Sequence, residues 1–110
     1  MTARRSGYGD AVPLPQCRIE SDGPDRLRVE GDLDELGVPA LRSALEIHGV
    51  AHELTVDLSD ASYVCSQAVS VLVGAMRGAE AGGRRLVVAA RSGSIAQRVL
   101  QVLVIPHEST

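Results

Sequence analysis

The 110-residue sequence contains no Phe, no Trp and no Lys, and its only aromatic side chains are two tyrosines. The hydrophobic core must therefore be built from aliphatic residues. A hydrophobic content of 45% and a charged content of 23% are typical of a folded globular protein. A chain of this length predicts a single domain, which buries only about two-thirds of the surface that its unfolded chain exposes.

The sequence also lacks a long apolar segment. The longest apolar run, over residues 95–105, is interrupted by Gln97, Arg98 and Gln101. It falls well short of the ~20 residues needed to cross a bilayer. The charged N-terminal residues are followed by Gly, Asp and Pro instead of an apolar stretch, so we expect no signal peptide. These features predict a soluble, cytoplasmic protein without membrane insertion.

A basic surplus, as found in nucleic-acid-binding proteins, is missing. Fourteen acidic residues against eleven arginines give a net charge of −3, so nucleic acid is not an expected partner. Cys17 and Cys65 stand alone, without a CxxC pair or a Cys/His spacing. This pattern favours two reduced thiols in a reducing compartment.

Motifs of common enzyme classes are missing too. The sequence has no GxxxxGK[ST] phosphate loop, no GxGxxG and no GxSxG. His48 and His52 are four residues apart, but a glycine between them is expected to end the helix, which favours surface histidines over a metal pair. Asp32, Asp34 and Glu35 suit a solvated turn better than a cation site. We therefore predict a protein that is not an enzyme and binds no metal or cofactor.

The hydrophobic pattern predicts an α/β domain with a mixed sheet of about four to five strands packed with three to four helices. Residues 1–15 are expected to form a flexible leader before a domain at 16–110. The first two strands are expected to form an antiparallel hairpin. The predicted elements, in chain order, are strands at 16–20 and 27–31, a helix at 38–48, a strand at 54–58, a helix at 66–81, a strand at 85–90, a helix that opens at 92–94, and a last short strand at 104–105.

The helix at 66–81 has two apolar faces. Its expected core face carries Val69, Leu72, Val73 and Met76. A second face of small residues carries Ala68, Val71, Ala75 and Gly78. This second face is expected to pack either against a partner protein or against the neighbouring helix. In the last helix, the expected core positions are Ile95, Val99 and Val102.

The segment from 57 to 72 places a hydroxyl group where a helix begins. A strand ends at Leu58, a short loop follows, and Ser66 opens the next helix. A helix N-terminus presents unpaired N–H groups and partial positive charge, so it favours an anion such as a phosphorylated serine. The alternative is that Ser66 only caps the helix.

The order of these elements, together with several short motifs, resembles the STAS family of bacterial anti-sigma factor antagonists. One motif is Gly31-Asp32-Leu33-Asp34 before the helix start Val38-Pro39-x-Leu41. Others are the Asp57-Leu58 strand end before Ser66 and the segment Gly82–Leu86 that leads into the next strand. The resemblance covers about residues 16–105 and implies a single STAS domain.

This resemblance implies a protein that regulates transcription by binding an anti-sigma factor with serine kinase activity, thereby freeing a sigma factor. Ser66 aligns with the serine that the kinase phosphorylates, and a phosphatase resets this phosphoprotein. A charge of about −2 added at the contact surface would eject the antagonist by desolvation and like-charge repulsion. The partner-binding residues implied by the resemblance are Asp32, Asp34, Cys65, Ser66, Gln67 and Ser70.

The sequence departs from the family pattern beside the acceptor. Cys65 stands where the family has Asp, Gln67 where it has a second Ser or Thr, and Ala68 where it has Gly. A thiol is a weak hydrogen-bond acceptor, and Ala lacks the backbone freedom of Gly. Two alternatives therefore stay open. One is a STAS interaction module, not regulated by phosphate, in another signalling or transport complex. The other is a thiol sensor at Cys65. The alternative to a sensor is that Cys65 is a buried cysteine that does not react.

Overall fold

The structure, a computed structural model, describes residues 17–49 and 52–110. It is an α/β domain with one mixed sheet, as the sequence predicts, and its five strands follow chain order across that sheet. The predicted leader at 1–15 lies outside the described residues. The elements are β1 (Cys17–Ser21), β2 (Arg26–Leu33), a 3₁₀ turn (Glu35–Gly37), α1 (Val38–His48), β3 (Glu53–Val64), α2 (Ser66–Ala81), β4 (Arg85–Ala90), α3 (Ile95–Val102) and β5 (Glu108–Ser109).

The first two strands form the predicted antiparallel hairpin, in which Ser21 pairs with Leu27. The turn between them closes through Asp22, whose N–H donates to the carbonyl of Arg26 at 2.8 Å. Gly23 adopts φ +101°, a conformation that strongly favours glycine. The turn thus pairs β1 and β2 without a long loop.

The remaining neighbours in the sheet are parallel, and each pair is joined by a helix. Each crossover from one parallel strand to the next is right-handed, and each new strand is added on the same side of the previous one. All three helices therefore lie on the same face of the sheet. That face is apolar, and its fully buried large side chains are aliphatic: Leu27, Val29, Leu54, Val56, Leu58 and Val88 from the strands, with Leu41, Leu72 and Leu100 from the helices. The prediction of an aliphatic core is confirmed.

The small-residue face of α2 meets the neighbouring helix. Ala68 is fully buried, and Val71 and Ala75 pack against the core. Ala75 and Gly78 line a shallow cavity of about 250 Å³ together with Leu45 of α1. Of the two alternatives for this face, the structure supports the contact between helices.

Strand β3 is longer than the sequence predicts, because residues 59–64 continue the strand instead of forming a loop. They pair with β2 from Glu30 opposite Asp60 to Leu33 opposite Val64, with two shifts of register. The polar composition of this segment and its irregular pairing hide the alternation that marks a strand. This extension places the end of β3 beside the end of β2.

The core face predicted for α3 is wrong at Ile95 and Val102, whereas Val99 packs against the core as predicted. Ile95 is 56% exposed and Val102 is 73% exposed, whereas Ala96, Gln97 and Leu100 are buried. Burial of the polar Gln97 is offset by two hydrogen bonds of its amide. The Gly93 N–H donates to Gln97 Oε1 at 2.7 Å, and Gln97 Nε2 donates to Ser109 Oγ at 2.6 Å. With these contacts, the buried face of α3 is rotated relative to the face that its apolar residues predict.

The predicted strand at 104–105 is a helix end instead. Val104 has φ +55°, its N–H donates to Gln101 O at 3.1 Å, and the Ile105 N–H donates to Leu100 O at 2.8 Å. This pair of bonds is a Schellman motif, in which the left-handed position is usually glycine. The last strand lies further on, where Glu108 and Ser109 pair with Ala89 and Ala90.

The face of the sheet opposite the helices is polar. Arg26 Nη2 lies 2.6 Å from Asp57 Oδ2, and the N–H of Ser59 donates to Asp57 Oδ1 at 2.9 Å. Burial by itself would raise the pKa of Asp57. The hydrogen bonds from Ser59 and the charge of Arg26 outweigh this effect and hold the pKa below its ordinary value. The ionised carboxylate therefore stabilises the fold by joining β2 to β3.

We expect Asp57→Asn to lower the free energy of unfolding by about 1–2 kcal/mol at neutral pH, because it removes a charge-assisted hydrogen bond. Since the folded-state pKa is depressed, the carboxylate contributes fully above the ordinary pKa near 3.8 and loses its contribution as pH falls through the folded-state value. Urea unfolding from pH 7 to pH 2 should therefore show the two proteins converging in acid. A constant difference across this range would contradict the role assigned to Asp57.

We expect Val104→Gly to raise the free energy of unfolding by about 0.5–1 kcal/mol. A β-branched residue is strained at positive φ, whereas glycine adopts this conformation freely and is the favoured residue at this position of a Schellman motif. Urea unfolding of the variant beside the unmodified chain measures the change. A loss of stability would show that contacts of the Val104 side chain outweigh the strain.

Candidate functional site

The ends of β2 and β3 bring the two predicted parts of the binding surface together. Asp32 pairs in register with Tyr63, and Leu33 pairs with Val64. Immediately beyond this pairing, the N–H of Cys65 donates to the carbonyl of Leu33 at 2.9 Å. The loop after β2 and the N-terminus of α2 therefore meet at the carboxyl edge of two parallel strands.

The loop after β2 is held by Asp34. Its Oδ1 accepts a hydrogen bond from the N–H of Leu36 at 3.1 Å, and its carbonyl accepts one from Gly37 at 3.0 Å. Asp34 is half-buried, whereas Asp32 is exposed. Asp34 thus organises the loop, and Asp32 presents a carboxylate at the surface.

Cys65 begins α2 as its N-cap. The residue is 2% exposed, and its Sγ accepts a hydrogen bond from the N–H of Ala68 at 3.4 Å. Sulfur is a weaker acceptor than the carboxylate that the family pattern has here, but it performs the same capping task. Cys65 therefore lies beneath the candidate surface and supports it from below.

Ser66 is the first residue of α2 and is exposed, as the sequence predicts. Because Cys65 caps the helix, Ser66 does not need its hydroxyl for that purpose. Gln67 and Ser70 are exposed on the first turns of the same helix. Ala68 points the other way and is fully buried, so its methyl group fills space in the core.

Two exposed apolar side chains beside these residues were not singled out from the sequence. Tyr63, next to Asp32 in the sheet, and Leu36, in the 3₁₀ turn, are each 46% exposed. Tyrosine is enriched in protein interfaces because it combines a large apolar surface with a polar group. The sequence offers one signal for this exposed residue, which is a single tyrosine in a polar segment. Its exposure could not be predicted, because it depends on the extension of β3.

The second cysteine lies on the other side of the same loop. Cys17 packs so closely against Gly37 that a Cβ on this glycine would lie 2.6 Å from its Sγ. Burial raises the pKa of the Cys17 thiol, and the carboxylates of Asp34 and Asp32 raise it further. Cys17 is therefore a protonated packing residue at neutral pH.

The sensor hypothesis requires a thiol that solvent can reach, and the structure gives little access to the Cys65 thiol. Cys65 is buried and engaged with the first turn of α2. An exposed, activated thiolate is the usual requirement for a redox sensor.

Within residues 17–49 and 52–110, no group of three or more His, Cys, Asp or Glu side chains is placed to hold a metal ion. In the same ranges, no helix has the length and apolar character of a membrane span.

Comparison with known proteins agrees with this fold. The family described as "Mlab, STAS domain" matches residues 18–105, and the chain belongs to this STAS family. The resemblance drawn from the sequence is thereby confirmed.

Two solved structures have the same fold. SpoIIAA, an anti-sigma factor antagonist in its unphosphorylated form, is 18% identical with a TM-score of 0.59, over 86% of each chain. An anti-sigma factor antagonist from Mycobacterium paratuberculosis is 19% identical with a TM-score of 0.68, over 96% of this chain and 92% of that chain. At these identities the likeness shows a common fold alone. No curated protein sequence matches this chain.

We expect Cys65→Ala to lower the free energy of unfolding by about 1 kcal/mol, because it removes the N-cap acceptor of α2. Cys65→Ser is the matched control, since its hydroxyl can accept the same hydrogen bond from Ala68, and it should lose less stability. Urea unfolding of both variants provides the comparison. Equal losses would mean that the thiol acts only by filling volume.

Proposed function

We propose that this protein is an anti-sigma factor antagonist that binds an anti-sigma factor through the surface formed by the loop after β2 and the N-terminus of α2. The observation that carries this proposal is the hydrogen bond from Cys65 to Leu33, which joins exposed Ser66 to the end of the strand that presents Asp32. The shared fold with two anti-sigma factor antagonists supports it.

In this proposal the partner-binding surface comprises two exposed parts. Asp32 and Tyr63 lie at the strand ends, and Ser66, Gln67 and Ser70 lie on α2. Asp34 and Cys65 position these parts through the loop and the helix cap. The protein would act in the cytoplasm of a bacterium as a regulator of transcription, with a STAS domain at 16–110 after a leader at 1–15.

Ser66 is the proposed phosphoacceptor. Its exposed position on the first turn of α2 makes it accessible to an anti-sigma factor with serine kinase activity. The N–H groups of that turn and the partial positive charge of the helix favour a phosphate there, so the fold tolerates the modification. About two negative charges added beside Asp32 would weaken a contact with any acidic groups of the partner. A phosphatase would restore binding.

One observation favours a second candidate, an interaction module that phosphate does not regulate. The N-cap of α2 is a buried thiol and not a carboxylate, so no charged acceptor at this position orients the Ser66 hydroxyl for transfer of a phosphoryl group. Such a module would bind its partner in a signalling or transport complex through the same surface.

Intact-mass spectrometry separates these functions. The full chain is incubated with ATP and an anti-sigma factor that has serine kinase activity, in parallel with Ser66→Ala and with Ser43→Ala, an exposed serine on α1 outside the proposed surface. We expect a single phosphate on the unmodified chain and on Ser43→Ala, and none on Ser66→Ala.

The other outcomes are equally informative. If no phosphate is added but a stable complex with the kinase forms, the protein is an antagonist without a phosphate switch. If neither phosphate nor a complex is detected, the anti-sigma role is contradicted. If phosphate persists in Ser66→Ala, the acceptor is a different residue.

A further inference from the structure

The helix end after α3 exposes an apolar patch. Val102, Leu103 and Val104 are 73%, 51% and 86% exposed, although they follow one another in a chain whose other large aliphatic residues mostly lie in the core. Leu103 and Val104 form one wall of an open groove of about 590 Å³, and α2 forms the other. Contiguous exposed apolar surface of this kind marks interaction sites.

Two residues beside the groove are unfavourable for the fold of the single chain. Gly74 lies in the interior of α2, where glycine weakens a helix, and a Cβ there would meet nothing within 4 Å. Packing within the chain therefore does not require a glycine. Val104 adopts φ +55°, which is strained for a β-branched residue. Local strain retained at one surface points to a function of that surface.

The charges beside the groove are self-complementary. Arg77 and Glu80 both line it, both are exposed, and they are three residues apart on α2. Neither takes part in the ion pairs that the described residues form with one another. A twofold axis that crosses α2 between them would place each Arg77 opposite Glu80 of the partner subunit.

We propose that two copies of this chain form a homodimer through this groove, with twofold symmetry. The contact covers Val102, Leu103 and Val104 and forms two Arg77–Glu80 ion pairs, and the missing side chain of Gly74 permits close approach. The dimer does not rest on the anti-sigma function, although Ser70, which belongs to the proposed anti-sigma surface, also lines the groove. Ser66 lies eleven positions before Arg77, about 16 Å along the helix, so its hydroxyl stays accessible.

Sedimentation equilibrium of the full chain over a wide range of concentration tests this proposal. The unmodified protein should change from one chain mass to two as its concentration rises. Arg77→Glu and Glu80→Arg should each weaken association about tenfold or more, because each creates two like-charge contacts in the symmetric dimer. Arg42→Glu, at an exposed position of α1, is the matched control and should leave association unchanged.

Charge exchange gives the sharper test. A mixture of Arg77→Glu with Glu80→Arg should associate again, since each variant then supplies the charge that the other lacks, and the double reversal in one chain should also restore the dimer. Val104→Gly provides a second route, because it relieves backbone strain and removes an exposed side chain. We expect it to weaken association although it stabilises the fold.

Three results would overturn the dimer. They are a single chain mass at every concentration, association that the charge reversals do not change, and failure of the mixed variants to associate. If Val104→Asp weakens binding of the anti-sigma kinase while the unmodified chain stays monomeric, the groove is a surface for that partner instead. Failure of kinase binding by the unmodified protein would contradict the anti-sigma function and leave the dimer unaffected.

Discussion

The parallel pairing of β2 with β3 is the constraint on which the site depends. It extends to Leu33 and Val64 and is continued by the hydrogen bond from the Cys65 N–H to the Leu33 carbonyl. This bond sets where α2 begins and how its first turn faces the end of β2, where Asp32 lies. The same two strands are joined on the polar face by Arg26 and Asp57, so one strand pair holds both the site and a large part of the fold.

The site has buried residues beneath an exposed surface. Cys65 and Ala68 are buried under the helix start, while Ser66 and Gln67 lie above them in solvent. A weaker N-cap than the family carboxylate is compatible with this arrangement because the strand ends already hold the backbone of the first turn. The fold therefore accommodates the departures at Cys65 and Ala68 from the family pattern.

Elements with a strong local signal could be predicted from the sequence. The apolar run of β4 and the Gly82-Gly83 end of α2 depend on neighbouring residues, and both elements have the predicted bounds. Other features depend on distant partners. Gln97 is buried only because Gly93 and Ser109 satisfy its amide, and Val104 ends a helix at a position where the sequence shows no glycine. The spacing of apolar residues in the sequence indicates neither the burial of Gln97 nor the helix end at Val104.

The sequence by itself determined a single α/β domain with an aliphatic core and a serine at the start of its second helix, because composition, periodicity and helix-start signals are local. The family resemblance implied that Asp32 and Ser66 share one surface. Only the tertiary structure decided that the hydrogen bond from Cys65 to Leu33 joins them, that Cys65 and not Ser66 caps the helix, and that Tyr63 is exposed beside them. These features follow from the register between β2 and β3. Register is set by contacts between residues far apart in the chain, which no local pattern of side chains specifies.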